Sequence, residues 1–255
     1  MLLAADIGNT HAVFGIFDGE LLRADFRIAS QPPRSADEWG LAVRLLCAHR
    51  EIDAGRIQAG VLCSVVPPLT ATIVEAVRRY FGIDPLLVGP GIKTGMPILY
   101  DPPQDVGADR IVNGIAAFHR AQGPVIVVDF GTATTFDAIS ARGEYVGGAI
   151  APGIQIAAEA LFARAARLPR VEVRRPPEVI GRTTVHSIQS GLYFGYVSLV
   201  NGMLARMRDR MEGSVRVLLT GGLGAALAPD LEGVEEYVPN LTLEGLRIIH
   251  QKNLS

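Results

Sequence analysis

Cysteine is almost missing from this chain: Cys47 and Cys63 are the only two in 255 residues. They share no Cys-x-x-Cys spacing, and no histidine stands at a metal-ligand interval from them. That excludes a disulfide scaffold and a zinc module, and it fits buried thiols in a reducing compartment. Charge of one sign is also missing, since 24 Lys and Arg against 26 Asp and Glu leave a formal net charge of −2. Broad binding to a phosphate backbone needs clustered cations, so nucleic acid is not an expected partner. Arginines gather once, at Arg164, Arg167, Arg170, Arg174 and Arg175, but Pro169, Pro176 and Pro177 interrupt them, as in a solvated loop. No apolar run reaches the length of a membrane span. The opening Met-Leu-Leu-Ala-Ala meets a charge at Asp6, too soon for the apolar region of a signal peptide. No membrane partner is expected, and the expected location is cytoplasmic.

Familiar catalytic motifs are missing too. Gly89-Pro90-Gly91-Ile92-Lys93-Thr94 looks like a P-loop only superficially, because Ile92 occupies the place of the glycine before the lysine and the four-residue spacer is absent. No Gly-x-Gly-x-x-Gly follows an apolar run, which removes a dinucleotide fingerprint. There is no His-Glu-x-x-His helix and no Gly-x-Ser-x-Gly elbow, and the five histidines are scattered.

What is present is an internal echo. An apolar run enters Asp6-Ile7-Gly8-Asn9-Thr10, a second follows over residues 13–17, and Asp18-Gly19-Glu20 turns the chain. Later, residues 125–128 enter Asp129-Phe130-Gly131-Thr132-Ala133-Thr134, residues 136–139 follow, and Arg142-Gly143-Glu144 turns the chain. The aspartates lie 123 residues apart and the turn glycines 124. An offset so much longer than a solenoid period suggests a duplicated domain. The Gln122-Gly123-Pro124 break divides the chain into halves 1–120 and 121–255.

Between the hairpins, Ser35-Ala36-Asp37-Glu38 has capping-box spacing, with Trp39, Val43 and Leu46 on one helical face behind it. Helical periodicity also marks residues 69–81, a helix beginning near Asp109, residues 154–166, 188–211 and 241–254; the 188–211 helix is apolar on more than one face. Further strands are expected at 59–65, 86–88 and 215–220. The element order gives α/β halves, each with a mixed sheet.

The loops after the first strand of each half suit an anion. Glycine lets the backbone approach closely, and N–H groups with the Asn9 and Thr10 side chains can meet phosphate oxygens. Asp6 on the same turn can hold a hydrated magnesium ion, which favours one or two carboxylates plus phosphate oxygens. The Asp129 loop repeats these parts with extra hydroxyls, and a Gly-Gly turn is expected downstream at Gly147-Gly148. The paired glycines of Thr220-Gly221-Gly222-Leu223-Gly224 would let a flat nucleoside lie against the backbone. Asp109, opening a helix, is suited both to cap it and to accept a proton, and Arg110 beside it suits a carboxylate partner.

Together these loops resemble those of the actin, sugar-kinase and heat-shock-chaperone ATPase superfamily. Over essentially its whole length the chain is similar to the type III pantothenate kinases. The similarity rests on Asp6-Ile7-Gly8-Asn9-Thr10, Gly107-Ala108-Asp109-Arg110, Asp129-Phe130-Gly131-Thr132-Ala133-Thr134-Thr135, Gly147-Gly148-Ala149-Ile150-Ala151-Pro152-Gly153 and Thr220-Gly221-Gly222, in that order. It implies an α/β fold of duplicated ribonuclease H-like (actin-like ATPase) halves with an ATP cleft between two mixed sheets. It implies ATP-dependent phosphorylation of pantothenate by a homodimer, with Mg2+ and a monovalent cation, K+ or NH4+. On that pattern Asp6, Ile7, Gly8, Asn9, Thr10, His11, Ala12 and Val13 bind ATP phosphates and Thr132 contacts ATP. Asp129 holds the monovalent cation. Tyr100, Gly107, Ala108, Asp109 and Arg110 contact pantothenate, with Asp109 the proton acceptor. Thr184 reaches substrate bound mainly by the other subunit. His11 stands where asparagine is the more usual residue. Two other readings stay open here: a catalytically silent nucleotide-binding regulator of the same fold, and a kinase of another small alcohol.

Overall fold

The computed structural model describes residues 1–165 and 168–254. Ala166, expected to end a helix, and Arg167 of the arginine cluster lie outside the described residues. In chain order the first elements are β1 (Leu2–Ile7), β2 (His11–Asp18), β3 (Leu21–Ala29), α1 (Ala36–His49), β4 (Ala59–Ser64), α2 (Pro67–Phe81), β5 (Leu86–Leu87) and α3 (Ala108–Ala121). Then come β6 (Val125–Phe130), β7 (Ala133–Ile139), β8 (Tyr145–Pro152), α4 (Ile154–Arg164), α5 (Thr184–Arg208), β9 (Arg216–Thr220), α6 (Gly224–Leu227), β10 (Glu236–Tyr237) and α7 (Leu241–Lys252).

Local chemistry sets several of these boundaries. Ser35 caps α1 with a complete capping box: its Oγ accepts from the Glu38 N–H, and Glu38 Oε2 accepts from the Ser35 N–H at 2.8 Å. Two prolines open α2 where their missing N–H groups cost nothing, and Gly82 ends it in the left-handed region. The turn glycines Gly19 and Gly143 both take positive φ, at 63° and 75°. Gly147-Gly148, however, do not form a turn. They lie inside β8, paired with Ala138 and Asp137 of β7, because small residues there continue a ladder already started at Tyr145.

The two sheets are built to one plan. The first runs β3-β2-β1-β4-β5 and the second β8-β7-β6-β9-β10. In each, the first three strands are antiparallel neighbours and the last two join in parallel. The sequence echo is therefore a repeated topology, not a pair of chance hairpins.

The chain packs as two compact units. One comprises Met1–Met96, Asp101–Ala116 and Asn240–Ser255, and the other Pro97–Tyr100 and Ala117–Pro239. In the first unit, Leu3, Ala5, Ile7, Phe14, Ile16, Phe26 and Leu62 form one face of the sheet and meet Trp39 and Val43 of α1 and Ile73 and Val77 of α2. The opposite face receives α7, whose Leu241, Leu243, Leu246 and Ile249 are buried against β1, β2 and β4. Thr242 Oγ1 ties α7 to α3 through Asn113 Oδ1 at 2.7 Å. The division at residue 120 gives α7 to the second half, but burial of its apolar stripe joins it to the first. In the second unit, Ile126, Val128, Phe130, Phe136, Val217 and Leu219 pack against Tyr193, Val197, Val200 and Leu204 of α5. Both cysteines are free and buried. Among the described residues no helix is long and apolar enough to cross a membrane.

Candidate active site

In the first unit the site begins at the end of β1. Strand pairing sets Asp6 opposite Val13 on β2 and Cys63 on β4, and Val13 opposite Arg27 on β3. Residues directly opposed across strands share a face, so Arg27, Val13, Asp6 and Cys63 form one transverse row. The face is the one that α7 covers further along the strands. The loop after Asp6 is held stiffly: Gly8 N–H donates to His11 O at 3.0 Å, Ser30 N–H to Thr10 O at 2.9 Å, and Ser30 Oγ to Gly8 O at 2.7 Å. Asn9, Thr10 and His11 remain exposed at its crest.

Asp109 joins Asp6 here. It lies in the first turn of α3, one residue inside a helix that begins at Ala108, so it does not occupy the capping position. Its Oδ1 accepts the Arg110 N–H at 2.9 Å. Gly107 leaves room for that carboxylate, since a Cβ at this position would come within 2.5 Å of Asp109 Oδ1. Burial lifts Asp109 above the ordinary carboxylate range, partly opposed by the Arg110 N–H and guanidinium. Asp6 is lifted to about 6, first by burial and then by the negative charge of Asp109, while the Cys63 thiol and the Arg27 charge pull it down. The Cys63 thiol, fully buried and facing both carboxylates, is pushed well up. Burial and Arg27 hold the His11 ring below its usual pKa. Arg110 is itself buried.

In the second unit Asp129 is the last residue but one of β6, as Asp6 is of β1, and it lies opposite Thr135 on β7 and Thr220 on β9. The turn after it is tighter by one residue, with Gly131 N–H donating to Ala133 O at 3.1 Å. Two glycines from distant motifs pack against this turn. A Cβ on Gly153 would lie 2.1 Å from Thr132 O, and one on Gly221, where φ is +86°, would lie 2.5 Å from Asp129 Oδ1. The Tyr237 hydroxyl fixes the Gly221 carbonyl at 3.0 Å. Thus Asp129-Phe130-Gly131-Thr132, the end of the β8 motif and Thr220-Gly221-Gly222 converge, with Thr132 and Gly222 exposed. Tyr100 sits edge-on to Tyr145, ring centroids 6.4 Å apart, near Gly147. Thr184 is exposed at the start of α5, whose cap is Thr183.

The structure thus gathers the residues into two groups. Asp6 to Val13 and Gly107 to Arg110 belong to the first unit; Tyr100, Asp129, Thr132, Thr184, Gly221 and Gly222 belong to the second. Sequence reading missed three polar participants. Cys63 passes as a buried thiol, and Arg27 as one exposed charge on a strand. Asp137 is fully buried and accepts from the Tyr145 hydroxyl at 2.7 Å; its only signal is an acid inside an apolar run. The first group places the glycine-containing loop after Asp6 in one unit with two carboxylates that burial raises, an arrangement suited to phosphoryl transfer with proton removal.

The family model for type III pantothenate kinase matches residues 2–206. The type III pantothenate kinase of Myxococcus xanthus is 53% identical over 253 residues, 99% of this chain and 99% of its own. Among solved structures, a Baf family transcriptional activator from Campylobacter jejuni is similar with a TM-score of 0.59 at 21% identity, covering 99% of this chain and 98% of that one. The activator of 2-hydroxyisocaproyl-CoA dehydratase from Clostridium difficile, with bound ADPNP, gives 0.54 at 11% identity, covering 100% and 98%. At these identities the two structures speak to the fold alone, the duplicated ribonuclease H-like fold of actin-like ATPases.

Proposed function

Because the chain belongs to the type III pantothenate kinases, we propose that its phosphoryl-transfer centre is built on the Asp6 loop and on Asp109. The reaction is the ATP-dependent phosphorylation of pantothenate to 4'-phosphopantothenate, the first step of coenzyme A biosynthesis. The observation that carries the site assignment is that Asp6 and Asp109 belong to one unit, with the charge of Asp109 bearing on the buried Asp6 carboxyl.

Such transfers ask the protein to align an alcohol with the γ-phosphate, neutralise developing charge and take up a proton. Asp109, raised by burial towards a better proton acceptor, accepts the proton of the pantothenate hydroxyl as the P–O bond forms. Arg110 holds the pantothenate carboxylate by its forked donors, beside Gly107 and Ala108; Tyr100 also contacts pantothenate on the family pattern. The backbone from Asp6 to Val13 receives the ATP phosphates, Thr132 contacts ATP, and Gly221 with Gly222 lies under the nucleoside.

Asp6 has the chemistry of a magnesium ligand, because a buried carboxyl beside a second carboxylate ionises reluctantly without a cation. Bound there, magnesium would offset charge on the β- and γ-phosphates. The Asp129 carboxylate, walled by Gly131 and Gly221, suits a monovalent cation, K+ or NH4+. Homodimer formation is supported by exposed Val179, Ile180 and Val185 around the start of α5, next to Thr184, which reaches the partner's substrate. Two free buried cysteines support a cytoplasmic setting.

A coupled ADP-release assay with and without pantothenate tests this reading. ADP release that depends on pantothenate, and not on a panel of sugars and polyols, is expected. Nucleotide binding without pantothenate-dependent release would point instead to a catalytically silent regulator.

A further inference from the structure

A phosphate site needs cations, yet the loop from Asp6 to Val13 contains neither lysine nor arginine. His11, the one titratable ring on it, is held towards its neutral form. The missing charge lies two strands away. Arg27 is on β3 in the transverse row that runs through Val13 to Asp6, about 10 Å from Asp6 at ordinary strand spacing. Its charge acts on both the Asp6 carboxyl and the His11 ring, the two ends of the loop. Among the described residues no hydrogen bond or ion pair engages its guanidinium. Arg23, two turns of the pleat away, does pair with Asp18.

The duplication supplies an internal control. In the second sheet the same row reads Thr220, Asp129, Thr135 and Ile150. Cys63 has a polar counterpart in Thr220 and Asp6 an identical one in Asp129. Arg27 answers to Ile150, which is exposed. A cation at this register is thus no requirement of the fold. It is a property of the first unit alone.

We propose that Arg27 is a phosphate-binding residue that engages the terminal phosphate of ATP above the Asp6 loop. The proposal rests on the reading that the ATP phosphates occupy that loop. The planar guanidinium offers a fork to two phosphate oxygens. Val13, lying between, has no polar atom to compete for it. Because the charge in phosphoryl transfer spreads over the equatorial oxygens of the moving group, a fixed cation here assists the transfer as well as binding.

The test compares wild type with Arg27→Gln, titrating magnesium ADP and magnesium AMPPNP by calorimetry. A charged hydrogen bond is expected to make AMPPNP binding about 10- to 100-fold weaker in the variant, while ADP affinity stays within about threefold. Melting temperature should not move, since the side chain is exposed. AMPPNP affinity equal to wild type, or an equal loss for both nucleotides, would overturn the assignment. Wild type is assayed alongside for pantothenate-dependent ADP release. If that release fails, the reading of the site falls; if it succeeds and Arg27→Gln binds AMPPNP normally, only the role of Arg27 falls.

Discussion

Cys63 and Asp6 stand directly opposite each other on parallel strands, and the thiol donates to the carboxylate Oδ1 at 3.3 Å. A buried carboxylate that loses a donor keeps its desolvation cost, about 1–3 kcal/mol. Cys63→Val should therefore lower the stability measured by urea unfolding at pH 7.5 by roughly that amount. Cys63→Ser, which restores an O–H donor, should recover part of it. Equal unfolding midpoints for wild type and the valine variant would show that the thiol contributes only packing. The same burial should make Cys63 unreactive towards a thiol reagent until the protein is unfolded.

Asp6 also links stability to pH. Its folded pKa of about 6 lies above the ordinary 3.8, so between these values the folded state binds more protons than the unfolded one. The favourable contribution is present below pH 3.8 and is lost as pH rises through about 6, a swing of about 3 kcal/mol. Asp6→Asn should consequently be more stable than wild type at pH 7.5 and lose that advantage near pH 4, while losing nucleotide-dependent activity. Unfolding curves of both proteins across this range check the sign. A variant less stable at pH 7.5 would contradict it.

The parts of the molecule legible in the sequence are those that chemistry marks locally. Asp6 and Asp129 announce themselves because an acid followed by glycine closes an apolar run, and Ser35 because its partner Glu38 lies three residues on. Relations created by pairing are invisible along the chain. Nothing near Cys63 or Arg27 says that register will place both in a row with Asp6. Likewise α7 carries an apolar stripe that any sheet face could cover, and only packing assigns it to the first unit. Gly147-Gly148 misled for a related reason: glycine marks a turn in isolation, but the ladder opposite Asp137 and Ala138 keeps it extended.

Asp109→Asn separates proton removal from binding. The amide keeps the size of the carboxylate and can still accept the Arg110 N–H, so α3 should form normally. Turnover should fall by about 10²- to 10⁴-fold, with nucleotide affinity preserved. In wild type, the acid limb of kcat should lie above the ordinary carboxylate range, because burial raises Asp109. A pre-steady-state measurement of ADP formation distinguishes a lost chemical step from slow release. Turnover near wild type would remove Asp109 from the role.

Gly221→Ala tests whether the second loop depends on close backbone approach. The new Cβ would fall 2.5 Å from both Asp129 Oδ1 and the Phe130 nitrogen, so the carboxylate or the strand end has to move. Alanine is also strained at φ +86° by about 1–3 kcal/mol. The variant should melt several degrees lower. If Asp129 holds potassium, it should also need more of that ion for half-maximal activity. Asp129→Ala should instead remove the potassium response altogether while sparing the core, since the apolar cluster includes Val128 and Phe130 but not Asp129 between them. Potassium titrations of both variants, with sodium as the control, discriminate the two effects: a shifted curve for the glycine variant and a flat one for the aspartate variant. An unchanged curve in Asp129→Ala would move the monovalent ion away from this loop and leave Gly221 a purely structural contact.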